Sequence, residues 1–207
     1  CLNSDSASRS YARKTNMDFQ EVKKHAVQFI RNVQERKKML YNLTSKIEAA
    51  ERLLESTERK TIVFSQSKEA ANRIATRFPA EARSYHSGLT GNEQEQAIED
   101  FRSEDDVRIL SSARALDQGA DLPEVTLGVV IAGTSKPLQS IQRMGRTLRK
   151  EGQRAIVVEF YATNTQDEKW LSKRQRKTPN RNIKRVSSVD DIFTNASSPD
   201  KVSIAAS

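Results

Sequence analysis

Arginines at a three-residue spacing have the chemistry of a phosphate-binding group. Arg143 and Arg146 are three residues apart in the segment 142–149 (QRMGRTLR), which the pattern places at the end of a helix. Residues three apart lie on one helical face, so both guanidinium groups can bind a single polyanion. Gly145 between them allows close approach of the backbone. On spacing alone, an exposed basic helix face explains this pattern equally well.

A second basic group lies between residues 173 and 185 (KRQRKTPNRNIKR), which hold seven basic residues and no acid. Lys plus Arg total 35 against 27 Asp plus Glu, a formal charge of +8, so most of the excess belongs to this segment. Such an excess favours an anionic partner, for example nucleic acid. Two interpretations have equal support: a strip that follows a phosphate backbone, or a solvated, nuclear-targeting tail. The candidate strip begins with Lys173, Arg174, Arg176 and Lys177.

Few other catalytic chemistries are available to this chain. His25 and His86 are its only histidines, so a Ser-His-Asp triad or a histidine-rich metal site is not expected. His86 is expected to be an orienting or packed side chain. Cys1 is the only cysteine, which excludes an intramolecular disulfide and favours a reducing compartment. No apolar run reaches the roughly 20 residues that span a bilayer, and we expect an intracellular protein, cytoplasmic or nuclear.

The first part of the chain is expected to be helical after a flexible start. Residues 1–17 are polar and predict a flexible segment. Apolar residues then recur at helical spacing over residues 18–43. A second helix follows, where Ser45 and Glu48 match a capping box. We expect residues 18–57 to link to, or pack against, another domain.

Short apolar strands alternate with helices from residue 58, the pattern of a parallel sheet covered on both faces. Helix N-caps are predicted at Ser67 and Thr90. We expect an open, mostly parallel α/β sheet over residues 58–165, with ligand sites at the carboxyl ends of its strands. A basic helical extension (166–186) and a disordered tail (187–207) are expected to follow. The predicted strands are residues 61–64, 83–86, 107–110, 125–132 and 155–160, and two further helices are predicted at 135–148 and 165–177.

The segment 142–149 resembles the Q-R-x-G-R-x-x-R motif that closes the second motor domain of superfamily-two helicases. Three further segments resemble landmarks of that family in the expected order: residues 62–67 (IVFSQS), 85–89 (YHSGL) and 112–123 (SARALDQGADLP). The resemblance implies a RecA-like fold with helices on both faces of the sheet. The motifs are closer to those of XPB-like and phage or restriction-type DNA translocases than to those of DEAD-box RNA helicases.

An ATP site shared between two motor domains is implied by this resemblance. Arg146 and Arg149 would be the arginine fingers that reach the γ-phosphate of ATP held on the first motor domain. Gln142 would help position the nucleotide or link it to nucleic acid, and Asp121 would accept from a ribose hydroxyl, with Gly119 allowing close approach. From the residues alone, Asp121 is better explained as a turn residue before a proline.

A grip on a nucleic-acid backbone is also implied by the resemblance. The family holds phosphates with short polar groups at strand ends, through hydroxyls and backbone amides. The matching positions are Ser65, Gln66, Ser87, Gly88 and Ser112. Threonine is usual at the position of Ser112, and serine retains its hydroxyl. DNA is the expected partner, with RNA open.

Two motifs that the family needs for ATP hydrolysis do not occur in the sequence. No glycine is followed by lysine, so there is no G-x-x-x-x-G-K-[ST] phosphate loop. The Mg²⁺-binding D-E-x-x motif is also absent, and Asp167-Glu168 is expected to be a solvated helix start. Together with the non-Met start, this indicates that a first motor domain, which holds Mg²⁺ and the phosphates, precedes this chain in a longer ATP hydrolase. The chain alone is expected to be inactive.

A non-catalytic alternative stays open from the sequence. The chain could be a nucleic-acid-binding module on a helicase-like scaffold, for which ATP is irrelevant, or a protein-interaction module that docks through the helices of residues 18–56. The binding module predicts that Arg146→Ala leaves the activity of the longer protein intact.

Overall fold

The structure, a computed structural model, describes residues 5–113, 122–132, 156–176, 183–186, 188–192 and 201–206. The chain divides into two compact units, Cys1–Leu40 and Tyr41–Ser207. Across the described ranges, no helix is both long enough and apolar enough to cross a membrane.

Helices make up the first unit: α1 (Asp5–Thr15) and most of α2 (Phe19–Tyr41). Asn16 lies between them with a φ of 54°, a left-handed conformation that asparagine tolerates. Lys23 pairs with Asp5 at 2.9 Å, and the Arg9 guanidinium lies 5.2 Å from the centre of the Phe19 ring. Residues 1–17 were expected to be flexible, but residues 5–15 form α1, which contacts α2 through these two pairs.

The apolar stripe predicted for α2 is only partly covered. Val22 near its start is buried, whereas Phe29 is 66% exposed and Met39 is 71% exposed. The periodicity of α2 therefore predicts the helix correctly but not the burial of its second half.

α3 (Thr44–Glu55) opens the second unit and covers one face of its sheet. The predicted capping box at Ser45 and Glu48 is wrong, because α3 begins at Thr44 and its N-cap is Leu43, which lies two residues before Ser45 and makes no side-chain capping hydrogen bond. The apolar side of α3 is fully part of the core, so residues assigned to a linker belong to the sheet domain; they include Ile47, Ala50, Leu53 and Leu54.

The second unit is organised around one seven-stranded sheet in the order β2-β3-β1-β4-β5-β7-β6. All pairings among the described strands are parallel. The predicted α/β sheet is therefore confirmed, and its five predicted strands correspond to β1–β5 with ends shifted by up to two residues. The strands are β1 (Thr61–Phe64), β2 (Ala82–Tyr85), β3 (Ile109–Ser112), β4 (Leu127–Val130), β5 (Ile156–Ala162), β6 (Ile183–Val186) and β7 (Lys201–Ala206).

Three further helices are described: α4 (Lys68–Arg77), α5 (Gly91–Ser103) and α6 (Gln166–Arg176). Both predicted caps are confirmed, since Ser67 accepts from the amide of Ala70 and Thr90 forms a complete capping box with Glu93. The backbone and hydroxyl donors of Thr90 hold the pKa of Glu93 below its ordinary value. The helix predicted over residues 135–148 lies outside the described residues.

The centre of the sheet is buried on both faces, which explains why β1, β4 and β5 are mostly apolar along their whole length. Alternate side chains of each strand point to opposite faces. Val63, Ile109, Val129 and Val158 share one face with α3 and α4. Ile62, Phe64, Leu110 and Val157 share the other with Phe101 of α5.

The last residues of the chain form a strand inside the sheet. β7 lies between β5 and β6, and its side chains Val202 and Ile204 are buried. The expectation of a disordered tail over residues 187–207 is wrong for residues 201–206. β6 likewise lies within the segment expected to be a helical extension. Both strands are short, and the pairing of β7 with β5 and of β6 with β7 supplies the stability that their sequences alone do not indicate.

Candidate nucleic-acid interface

The carboxyl ends of β1, β2 and β3 bring together the polar residues predicted to hold a nucleic-acid backbone. β3 lies between β1 and β2, and Ser112 at its end is in register with Phe64 and Tyr85. The amide of Ser65 donates to the carbonyl of Ser112 at 2.8 Å. Ser65, Gln66, Ser87, Gly88 and Ser112 therefore lie at one edge of the sheet, which we call the polar edge.

Two of these five residues are inside the protein. Ser65 is 1% exposed, and its hydroxyl lies 2.9 Å from the carbonyl of Ser67 and 3.2 Å from that of Ser112. Ser112 is fully buried. Because the Ser65 hydroxyl donates to the backbone, it holds the ends of β1 and β3 together below the surface.

The other three residues form the surface of the polar edge. Ser87 and Gly88 are exposed, and Gln66 is half-buried. Gly88 differs from the expectation in one respect: its amide donates to Nδ1 of His86 at 3.1 Å. That amide is satisfied within the protein, so the surface groups that remain for an anion are the side chains of Gln66 and Ser87 and their neighbours.

His86 is an orienting residue, as its isolation in the sequence indicated. It is buried at the end of β2, and Nε2 lies 2.8 Å from Oδ1 of Asn72 on α4. The ring thus joins α4 to the turn at residues 86–88.

Two residues beside the polar edge were not singled out from the sequence. Lys68 and Asn72 lie four residues apart on α4, and positions four apart share one helical face. Lys68 is exposed, and its Nζ lies so close to Gly88 that a Cβ on Gly88 would be 3.0 Å from it. The signal that could have found them is the Ser67 cap, which starts α4 at the carboxyl end of β1 and directs this face toward the next strand ends.

The basic residues of α6 do not join the polar edge. α6 contacts β5, and its last turn reaches Ser203 in the middle of β7, where Gln175 donates to the Ser203 hydroxyl at 3.0 Å. Both strands lie beyond β4 in the sheet order, away from β2 and β3. Lys173 and Arg176 are exposed there, on a separate surface. The side chain of Arg174 and all of Lys177 lie outside the described residues.

The start of α6 corrects the expectation of a solvated Asp167. Asp167 is 1% exposed, and its Oδ2 accepts from the fully buried ammonium of Lys46 at 2.8 Å and from the amide of Ala162 at 3.2 Å. Asp167 is therefore a structural anion that ties α3 to the end of β5. In the described part of the chain, no group of three or more His, Cys, Asp or Glu side chains is arranged to hold a metal ion.

The residues assigned to the nucleotide are Gln142, Arg146, Arg149, Gly119 and Asp121, and all five lie outside the described residues. Gly119 and Asp121 follow Ala113, which comes directly after β3. Gln142, Arg146 and Arg149 follow Ala132, which lies two residues beyond β4. Ala113 and Ala132 are at carboxyl ends of strands that flank β1.

Comparison with known proteins gives the family. The model of the helicase conserved C-terminal domain matches residues 45–151. The chain belongs to this family. The matched region begins in α3 and includes the polar edge together with the segment 142–149, which confirms the resemblance to the second motor domain of superfamily-two helicases.

Curated relatives are about a third identical to this helicase C-terminal domain over the aligned residues. The DNA 3'-5' translocase XPB2 of Sulfurisphaera tokodaii is 33% identical over 136 residues, which cover 65% of this chain and 30% of the relative. The ATP-dependent DNA helicase MPH1 of Saccharomyces cerevisiae is 30% identical over 112 residues, 52% of this chain and 11% of the relative. The chain thus spans less than a third of the length of these relatives.

Solved structures match the fold. The C-terminal domain of the DEAD-box protein Dbp5 has a TM-score of 0.55 at 24% identity and covers 66% of this chain and 80% of its own. The E. coli DEAD-box protein SrmB has a TM-score of 0.55 at 17% identity and covers 78% and 84%. At these identities, the matches establish the RecA-like architecture alone.

Proposed function

We propose that this chain is the second motor domain of an ATP-dependent helicase or translocase that moves on DNA. The observation that carries the proposal is the polar edge, where the exposed Ser87 after β2 and the half-buried Gln66 after β1 flank the buried end of β3. The helicase C-terminal family supports the general role. DNA is favoured over RNA because XPB2 and MPH1, which this chain resembles, are named for DNA.

In this proposal, surface residues of the polar edge contact the nucleic acid, and buried residues hold the strand ends in place. Gln66, Ser87 and the surface at Gly88 contact phosphates and sugars of one strand. Ser65 and Ser112, which are buried, hold the ends of β1 and β3 together beneath this surface. Backbone contacts position a nucleic acid without reading its bases, so the grip is independent of sequence.

The ATP site is proposed to be completed between this domain and a first motor domain that holds Mg²⁺. The chemistry of these residues fits a nucleotide. The guanidinium groups of Arg146 and Arg149 can donate to phosphate oxygens. The carboxylate of Asp121 can accept from ribose hydroxyls, and Gln142 adds an amide. Bound ATP supplies the phosphoanhydride bond whose hydrolysis drives movement. The two arginines place positive charge where negative charge develops on the γ-phosphoryl oxygens.

The test is DNA-stimulated ATP hydrolysis by a protein that contains both motor domains. Arg146→Ala and Arg149→Ala are each expected to lower kcat by about 10³-fold or more, since arginine fingers contribute roughly 10³ to 10⁵ to phosphoryl transfer. The matched control is Arg31→Ala, which removes an exposed guanidinium paired only across one turn of α2 with Glu35; it should leave kcat unchanged.

The outcome that contradicts this assignment is equally specific. If Arg146→Ala and Arg149→Ala retain wild-type turnover while the protein still binds DNA, the arginine fingers are misassigned. A nucleic-acid-binding module without a role in hydrolysis then becomes the better description.

A further inference from the structure

Asn72, His86 and Gly88 form a continuous hydrogen-bonded chain from α4 to the polar edge. Asn72 Oδ1 lies 2.8 Å from Nε2 of His86, and the Gly88 amide donates to Nδ1 of the same ring at 3.1 Å. His86 itself is buried. Both ring nitrogens are therefore used inside the protein, and the ring has no free nitrogen with which to contact a ligand.

The direction of these bonds follows from the chemistry of the groups. A backbone amide can only donate, so Nδ1 of His86 must be the unprotonated, accepting nitrogen. Nε2 then carries the proton and donates to the carbonyl oxygen of Asn72. Each bond thus sets the orientation of the next, from the helix through the ring to the turn.

Lys68 depends on this arrangement because its ammonium lies against Gly88. A Cβ built on Gly88 would meet Nζ of Lys68 at 3.0 Å and ring atoms of His86 at 3.1 and 3.2 Å. These separations are tighter than most real Cβ contacts, so glycine lets the lysine, the turn and the imidazole come together without a shift, whereas a Cβ would displace Lys68 Nζ or the ring by a few tenths of an ångström. The position of the turn therefore decides where the positive charge of Lys68 lies.

We propose that Lys68 is the phosphate-binding cation of the polar edge and that Asn72 and His86 are positioning residues that hold the turn beneath it. The inference rests on the proposed function, since it names the ionic contact within the same nucleic-acid grip. Gln66 and Ser87 contribute neutral groups at this edge, whereas an ammonium supplies the charge that releases a counterion from a phosphate. The acid next along the chain, Glu69, accepts from the hydroxyl of the Ser67 cap.

Binding of a fluorescent oligo(dT) single strand to the full chain, measured over a range of salt concentrations, tests the cation. Lys68→Gln is expected to weaken binding about two- to fivefold at low salt. The negative slope of log K against log salt should become shallower by about 0.7, the value for one phosphate on a single strand. Arg77→Gln is the matched control. It makes the same charge change at the other end of α4, where Arg77 pairs with Glu55, and should leave the slope unchanged.

Substitutions at His86 separate positioning from simple packing. In His86→Asn, the side-chain carbonyl can take the place of Nδ1 and accept from Gly88 but no longer reaches Asn72, so binding and salt slope should fall less than in His86→Gln. In His86→Gln, the longer amide can still reach Asn72 but offers no acceptor at Nδ1, so the slope should fall as it does in Lys68→Gln. Gly88→Ala should have the same effect by displacing Lys68. Urea unfolding of each variant checks that the domain stays folded.

Each result decides a different claim. If Lys68→Gln binds like wild type while Gln66→Ala weakens binding, the grip is real but Lys68 is not its cation, and this inference is overturned. If His86→Asn and His86→Gln lose equal affinity, the ring acts by packing and the positioning role is overturned. If the wild-type chain does not bind the strand, the proposed grip fails and this inference fails with it.

Discussion

Lys46 of α3 donates to Asp167 of α6 at 2.8 Å, and both side chains are completely enclosed by the protein, at 0% and 1% exposure. The two residues are 121 positions apart in the chain. Asp167 also accepts from the amide of Ala162. This ion pair therefore fixes α3, the end of β5 and the start of α6 against one another.

Breaking the pair should destabilise the domain strongly. Lys46→Met leaves Asp167 buried without its cation, and we expect the free energy of unfolding to fall by about 3–5 kcal/mol. The double variant Lys46→Met/Asp167→Leu removes both charges and should recover most of that loss, because an apolar pair of similar volume often replaces a buried ion pair without cost. Urea unfolding of the wild type and the two variants measures both effects. A loss below about 1 kcal/mol in Lys46→Met would show that the pair is not buried as described.

The sequence predicted those features that depend on neighbours along the chain. The strands β1–β5, the Ser67 cap and the Thr90 capping box all come from local patterns, in which an apolar run or an oxygen near a helix start is sufficient. The residues of the polar edge were implied by the family resemblance, and parallel strands that end together explain why they lie at one edge of the sheet.

Contacts between distant residues set the features that the sequence did not predict. Lys46 looks like an ordinary surface lysine and Asp167 like a solvated helix start, because neither segment reveals the other. The link from Asn72 to His86 has the same origin, since it depends on how α4 lies against β2. The burial of Ser65 and Ser112 also becomes evident only when β1 and β3 pair.

β7 provides a second stability prediction. Ile204 is 2% exposed and packs in the core on the α3 side of the sheet. Ile204→Ala is expected to cost about 2–5 kcal/mol, the range for truncating a buried aliphatic side chain. Ala205→Ser, at the half-buried neighbouring position of the same strand, is the control and should change stability by less than about 1 kcal/mol. If residues 201–206 were a disordered tail, both variants would have the same midpoint of urea unfolding as the wild type.

Acid stability should depend on Asp100 of α5. Arg83 of β2 and Gln96 both donate to this carboxylate at 2.6 Å, and the Arg83 contact is the main reason that the pKa of Asp100 lies below its ordinary value. A lowered folded-state pKa means that the stabilisation is complete above the unfolded-state pKa, about 4, and is lost as the pH falls through the folded-state value.

The variant Asp100→Asn isolates this contribution. At neutral pH it should be less stable than the wild type by about 1 kcal/mol, and the two stability curves should converge as the pH falls below the folded-state pKa of Asp100. Asp106→Asn makes the same charge change at an exposed position and should show no such convergence. Urea unfolding at several pH values provides the curves. A constant difference between wild type and Asp100→Asn at all pH values would contradict the assigned ion pair.

The tautomer of His86 can be observed directly because the chain contains only two histidines. With ¹⁵N-labelled histidine, long-range proton–nitrogen NMR spectra should show one ring with a proton on Nε2 and an unprotonated Nδ1 at mildly alkaline pH, as the donor at Gly88 requires. His25 lies on the exposed surface of α2 and supplies the reference ring, and His25→Gln assigns the signals. Asn72→Leu removes the acceptor for Nε2, so the His86 signals should shift in that variant while those of His25 stay in place. A proton on Nδ1 of His86 in the wild type would mean that the Gly88 amide does not donate to the ring, and the turn beneath Lys68 would then be held by some other contact.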